Sequence, residues 1–159
     1  MAEEADLQQF LDLSAYLTGY DAFRLQGTGQ VECYLSTLID VVGEPMVREL
    51  LRTYDRIRQE SGDDDATMDR LLRAVILSDD RLGPIARNII KLWFVGTWYQ
   101  LPYAWRAGFG ALERDTTFVA SPDSYTEGLL WPTVDANPPG AKGPGYGSWT
   151  RPPRIDIRD

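Results

Sequence analysis

The sequence predicts an all-α fold, a helical bundle of about five to six helices followed by an extended Pro/Gly-rich arm. Three observations carry this. Apolar residues recur at helical spacing through the first half of the chain, the breaks between those runs fall at glycine or proline, and no convincing run alternates with the period of a strand. The first helix places Leu7, Phe10, Leu11 and Leu17 on one face, and Gly19 is its expected stop. The second spans about residues 29–42, with Val31, Tyr34, Leu35, Leu38 and Ile39 together and Gly43 as its end. The third begins at Glu44-Pro45, where proline is tolerated because first-turn N–H groups lack helical partners anyway. Its apolar face is Met46, Val47, Leu50, Leu51, Tyr54 and Ile57, and Ser61-Gly62-Asp63 breaks it. The acids Asp63, Asp64 and Asp65 then sit where a helix dipole favours carboxylates, ahead of Met68, Leu71, Leu72, Val75 and Ile76.

The fifth helix starts near residues 80–84 and carries Ile85, Ile89, Ile90, Trp93, Phe94 and Trp98. It is apolar on nearly every side except at Lys91, which predicts the central, buried helix, ended or kinked by Pro102. From residue 133 onward prolines 138, 139, 144, 152 and 153 and glycines 140, 143, 145 and 147 exclude helix. The expected organisation is thus a bundle over 1–132 and an arm over 133–159, within a single unit. The arm has no core of its own yet contains Tyr146 and Trp149, which are costly to leave in water. Such a segment either lies across another protein's surface or folds back on its own domain.

Composition narrows the function. The chain is 43% hydrophobic and 25% charged, within the range of soluble globular proteins. A net charge of −8 repels nucleic-acid phosphates and anionic lipid, and suits docking on a more basic surface. The single Cys33 forms no internal disulfide and reads as a small core residue. The N-terminus has neither basic nor apolar export features nor a twin arginine. The most apolar stretch, residues 89–105, is short for a bilayer and interrupted by Lys91, Gln100 and Pro102, so no membrane span is expected.

Much catalytic chemistry is excluded. Without histidine there is no Ser-His-Asp triad, HExxH zinc site or axial haem histidine, and one cysteine cannot build a thiolate cluster. Gly27-Thr28-Gly29 opens like a dinucleotide fingerprint, but no strand precedes it and no third glycine follows in place, so it reads as the turn before a helix. Asp63-Asp64-Asp65 lacks the alternation and final Glu of a calcium loop. No catalytic, cofactor-binding or metal-binding residue is expected. The tryptophans 93, 98, 105, 131 and 149 read as core or as interface anchors before ligand contacts.

Four blocks carry a family resemblance: Phe10-Leu11-Asp12-Leu13-Ser14-Ala15-Tyr16-Leu17-Thr18-Gly19; Leu92-Trp93-Phe94-Val95-Gly96-Thr97-Trp98-Tyr99; Tyr125-Thr126-Glu127-Gly128-Leu129-Leu130-Trp131; and Pro144-Gly145-Tyr146-Gly147-Ser148-Trp149 with Pro152-Pro153. In content and order they resemble the small, gamma-type subunits of bacterial FAD-dependent sorbitol, fructose and glucose dehydrogenase complexes. The resemblance implies a non-catalytic subunit that supports folding and maturation of a large GMC-type flavoprotein. That partner holds the FAD and oxidises a sugar or polyol, passing electrons to a cytochrome c subunit or another acceptor. It also implies a periplasmic location, although this chain has no twin-arginine signal; a cytoplasmic complex is the alternative. The candidates for partner contact are Trp98, Tyr99, Tyr125, Trp131, Tyr146 and Trp149.

Two departures from the family stand out. Residues 103–122 are longer than the usual link and read as a docking loop, and the arm lacks the family's cysteine. A stand-alone helical domain that binds a small aromatic or lipid ligand is the competing reading. An enzyme using carboxylates or tyrosines is a third.

Overall fold

In the computed structural model, which describes residues 3–138, the chain is an all-α bundle. The long helices are α1 (Glu4–Thr18), α3 (Val31–Val42), α4 (Glu44–Ser61), α5 (Asp65–Leu71), which continues as a π-helical segment over Leu72–Leu77, and α6 (Leu82–Val95). Their limits follow the sequence punctuation. Gly19 adopts φ 76° and returns its N–H to Ala15 O, closing α1. Pro45 lies in the first turn of α4. Asp64 caps α5, accepting from Ala66 N and from the Thr67 hydroxyl, which holds its carboxyl below the usual range.

The structure adds three short helices: α2 (Ala22–Gly27), α7 (Tyr103–Phe109) and α8 (Leu130–Thr133). A two-residue antiparallel pairing joins β1 (Thr97–Trp98) to β2 (Phe118–Val119). Helix α2 is capped by Asp21, which accepts from Arg24 N, and pins its buried Leu25 into the core. The second predicted helix thus starts later than expected, at Val31, with the Gly27–Gly29 turn ahead of it. The fifth ends earlier: Gly96, at φ 67°, stops it before Trp98, so Pro102 neither ends nor kinks it but stands at the start of α7.

α6 is the central helix, as its all-round apolar character predicts. Ile85, Ala86, Ile89, Leu92 and Trp93 are buried in one core with Phe10, Leu13, Tyr34, Leu38, Leu50 and Tyr54 from α1, α3 and α4. The Trp93 ring meets Tyr34 edge-on at 4.9 Å between centroids and stacks on Phe10 at 6.4 Å. Trp93 Nε1 and the Tyr34 and Tyr54 hydroxyls have no hydrogen-bond partner among the described residues. Each orphan costs about 1–3 kcal/mol. Burying roughly 200 Å² of ring is worth about 5 kcal/mol, so the aromatic core is stable despite them.

Two outcomes follow. Trp93→Ala lowers stability by about 3–5 kcal/mol, read as a lower urea midpoint with an unchanged slope. Burial raises the Tyr34 and Tyr54 hydroxyls above the ordinary tyrosine pKa, in both cases chiefly by desolvation. The unfolded chain releases those protons as pH passes about 10 while the folded chain keeps them. Stability therefore falls with rising pH above that point. Phenylalanine at both positions flattens the alkaline limb of a chemical-denaturation series.

Candidate partner interface

The chain beyond α6 is held by that helix's own end. The last carbonyls of a helix need partners from elsewhere. Here Leu129 N donates to Trp93 O at 2.9 Å and Ala120 N donates to Gly96 O at 2.9 Å. The buried Ser124 hydroxyl lies 3.1 Å from Gly96 O and 2.6 Å from Ser121 O. Two glycines permit this approach: a Cβ on Gly96 would stand 2.6 Å from Ser124 O, and one on Gly128 would stand 2.7 Å from Phe94 O.

Between these anchors residues 97–119 form a compact platform. Trp98 turns inward and is fully buried, its Nε1 donating to Asp115 Oδ1 at 2.9 Å. The buried Asp115 carboxylate also accepts from Leu101 N at 3.0 Å. Asn88 of α6 clasps Tyr99 from both sides, donating to its carbonyl at 2.8 Å and accepting from its N–H at 3.2 Å. In α7, Trp105 is buried and donates through Nε1 to Arg81 O at 2.8 Å. Ser121 donates to Gln30 Oε1 at 2.9 Å, joining the platform to the start of α3. Residues 103–122, expected as a loop, thus contain a helix and a strand fastened at both ends.

This part of the chain exposes several large apolar side chains beside polar ones such as Gln100, Glu113 and Arg114. Ten large hydrophobic side chains stand exposed among the described residues, and eight lie between Val95 and Val134: Val95, Tyr99, Tyr103, Phe109, Val119, Tyr125, Leu130 and Val134. Strand pairing sorts the two faces of the platform, since Trp98 opposite Phe118 points to the core while Thr97 opposite Val119 points away. Tyr99 is 41% exposed, with Lys91 Nζ 5.0 Å from its ring centroid. Tyr125 meets Trp131 edge-on at 5.5 Å, and Trp131 Nε1 donates back to Tyr125 O at 2.8 Å.

The sequence-derived candidates separate accordingly. Tyr99, Tyr125 and Trp131 lie on the exposed side. Trp98 does not: its indole is packed inside the chain's own core and its N–H is already used by Asp115, so it serves the platform from within. Tyr146 and Trp149 lie outside the described residues. Tyr103, Phe109 and Val119 were not among the candidates, because a loop reading of residues 103–122 gives no basis for sorting inward from outward positions. Among the described residues no group of cysteines and acids is placed to hold a metal ion, and no helix is long and apolar enough to cross a membrane. Comparison with protein-family models, curated proteins and solved structures finds no match.

Asp115→Ala removes the acceptor of two buried donors. It lowers stability by about 2–4 kcal/mol and red-shifts tryptophan emission as water reaches Trp98, while the far-ultraviolet helical signal persists at low temperature.

Proposed function

We propose that this chain is a non-catalytic subunit that docks on a larger protein through the face built from residues 95–134. The observation that carries the reading is the concentration of exposed Tyr, Phe and Val side chains on one polar-braced platform. Interface centres are enriched in aromatics, and a site already rigid before docking loses less entropy when it binds. Between residues 95 and 112 Arg106 is the single ionisable side chain other than tyrosine, and the charges of this region, Glu113, Arg114, Asp115, Asp123 and Glu127, fall in its second half.

The partner we propose is a large FAD-dependent, GMC-type sugar or polyol dehydrogenase, which this chain supports in folding and maturation. The support for it is the ordered set of four sequence blocks. Two of them build the platform and its anchors: Tyr99 and the anchoring Gly96 come from the second, and the anchoring Gly128, with Trp131 beside it, from the third. In this reading FAD belongs to the partner, which passes electrons to a cytochrome c or other acceptor. The complex is periplasmic, as the resemblance implies, with the cytoplasm as the alternative location. Tyr146 and Trp149, outside the described residues, remain candidates for partner contact in this reading.

The test is co-expression with a flavoprotein encoded beside this chain, followed by size exclusion read at flavin absorbance. Co-elution with flavin, and loss of flavoprotein yield when this chain is omitted, is the expected result. A flavoprotein that matures and elutes alone refutes the assignment. Tyr103→Ala combined with Val119→Thr keeps the melting temperature, since both residues are exposed, and weakens partner binding by roughly 30-fold, the equivalent of one interface hot spot.

A further inference from the structure

The first turns of α1 and α3 and the end of α2 bound an open groove of about 360 Å³. Leu7, Leu11 and Val31 give it an apolar lining, and Glu4 and Glu32 bring a carboxylate from α1 and from α3. Both glutamates are exposed, and neither has an ion-pair partner among the described residues. Among the described residues no basic side chain lines the groove.

These groups set the chemistry of an occupant. Uncompensated carboxylates attract cations, while the leucines and the valine between them favour an apolar side chain, so one segment must carry both kinds. A polyanion or an anionic membrane is repelled by the same glutamates and by the net charge of −8. The apolar surface also continues past the groove. Phe23 of α2 is 85% exposed, the most of any large hydrophobic side chain among the described residues. It lies three residues before Gln26, which lines the groove, and that spacing puts both on one face of α2. An open groove covers too little of a small molecule to hold it well, whereas a polypeptide can cross it and rest on Phe23 as well.

We infer that this groove seats a basic, amphipathic segment of another polypeptide. Its apolar side chains lie against Leu7, Leu11 and Val31, its lysines or arginines stand beside Glu4 and Glu32, and Phe23 supports it at the rim. The inference does not depend on the flavoprotein reading, because no lining residue of the groove belongs to residues 95–134.

The probe is a short fluorescent peptide of leucine and lysine, titrated with the purified full chain and followed by anisotropy. A serine-and-lysine peptide of equal length and charge is its counterpart without apolar groups. The leucine peptide is expected to bind about tenfold more tightly, the scale of roughly two buried methylene groups. Glu4→Gln together with Glu32→Gln should weaken it about tenfold, the scale of two exposed ion pairs. Glu60→Gln together with Asp63→Asn makes the same change in net charge at exposed positions that do not line the groove. That control should stay within about twofold of the native chain at physiological salt, where distant charges are screened. Carbodiimide coupling of the bound peptide's lysines should mark Glu4 and Glu32 before other carboxylates. Equal affinity for the two peptides, equal loss in the two double variants, or coupling spread over the other acids overturns the inference. Self-association of the chain without peptide, abolished by the Glu4→Gln and Glu32→Gln pair, assigns the groove to a second copy and overturns it likewise.

Discussion

The open carbonyl end of α6 is the constraint on which the second half of the molecule depends. A buried helix terminus needs partners for its carbonyls, and here the chain's own residues 120–129 supply them. Leu129 N–H takes Trp93 O, while Ala120 N–H and the Ser124 hydroxyl converge on Gly96 O. Gly128 passes so close to Phe94 O that no side chain fits. Because both ends of residues 97–119 are thereby fixed to one rigid helix, the segment has little freedom, and the buried Asp115 and Asn88 remove most of what remains.

This explains how a segment rich in exposed aromatics keeps a defined shape. Its inward side chains, Trp98, Leu101 and Trp105, join the α6 core, and the indole N–H groups of both tryptophans find buried or backbone acceptors. Of the outward ones, Tyr99 has its ring beside Lys91, while Tyr103 and Val119 stand largely exposed. That exposed apolar surface is what the proposed partner would cover.

The five long helices were legible because each is governed by local rules: apolar spacing along the helix and a glycine or a proline at its limits. α2 and α7 were not, since six or seven residues carry too little periodicity and both rest on a single buried anchor, Leu25 or Trp105. The stop of α6 at Gly96 was misplaced for a related reason. Trp98 continues the apolar spacing past the glycine, and only the Trp98–Asp115 hydrogen bond, between residues distant in sequence, reveals that its burial is of another kind. Asp115 itself carried no signal, because one acid in a charged protein is distinguished by what surrounds it in space.

The closure of α6 by residues 120–129 has a consequence for the order in which the protein comes into being. Chains leave the ribosome N-terminus first, and domains form as their segments emerge. Helices α1 to α6 are therefore available for packing while the carbonyls of Trp93 and Gly96 still lack their protein partners. The aromatic platform acquires its shape last, when Leu129 arrives. A chain that stops short of Leu129 leaves Trp93 O without its partner and the platform without its second anchor.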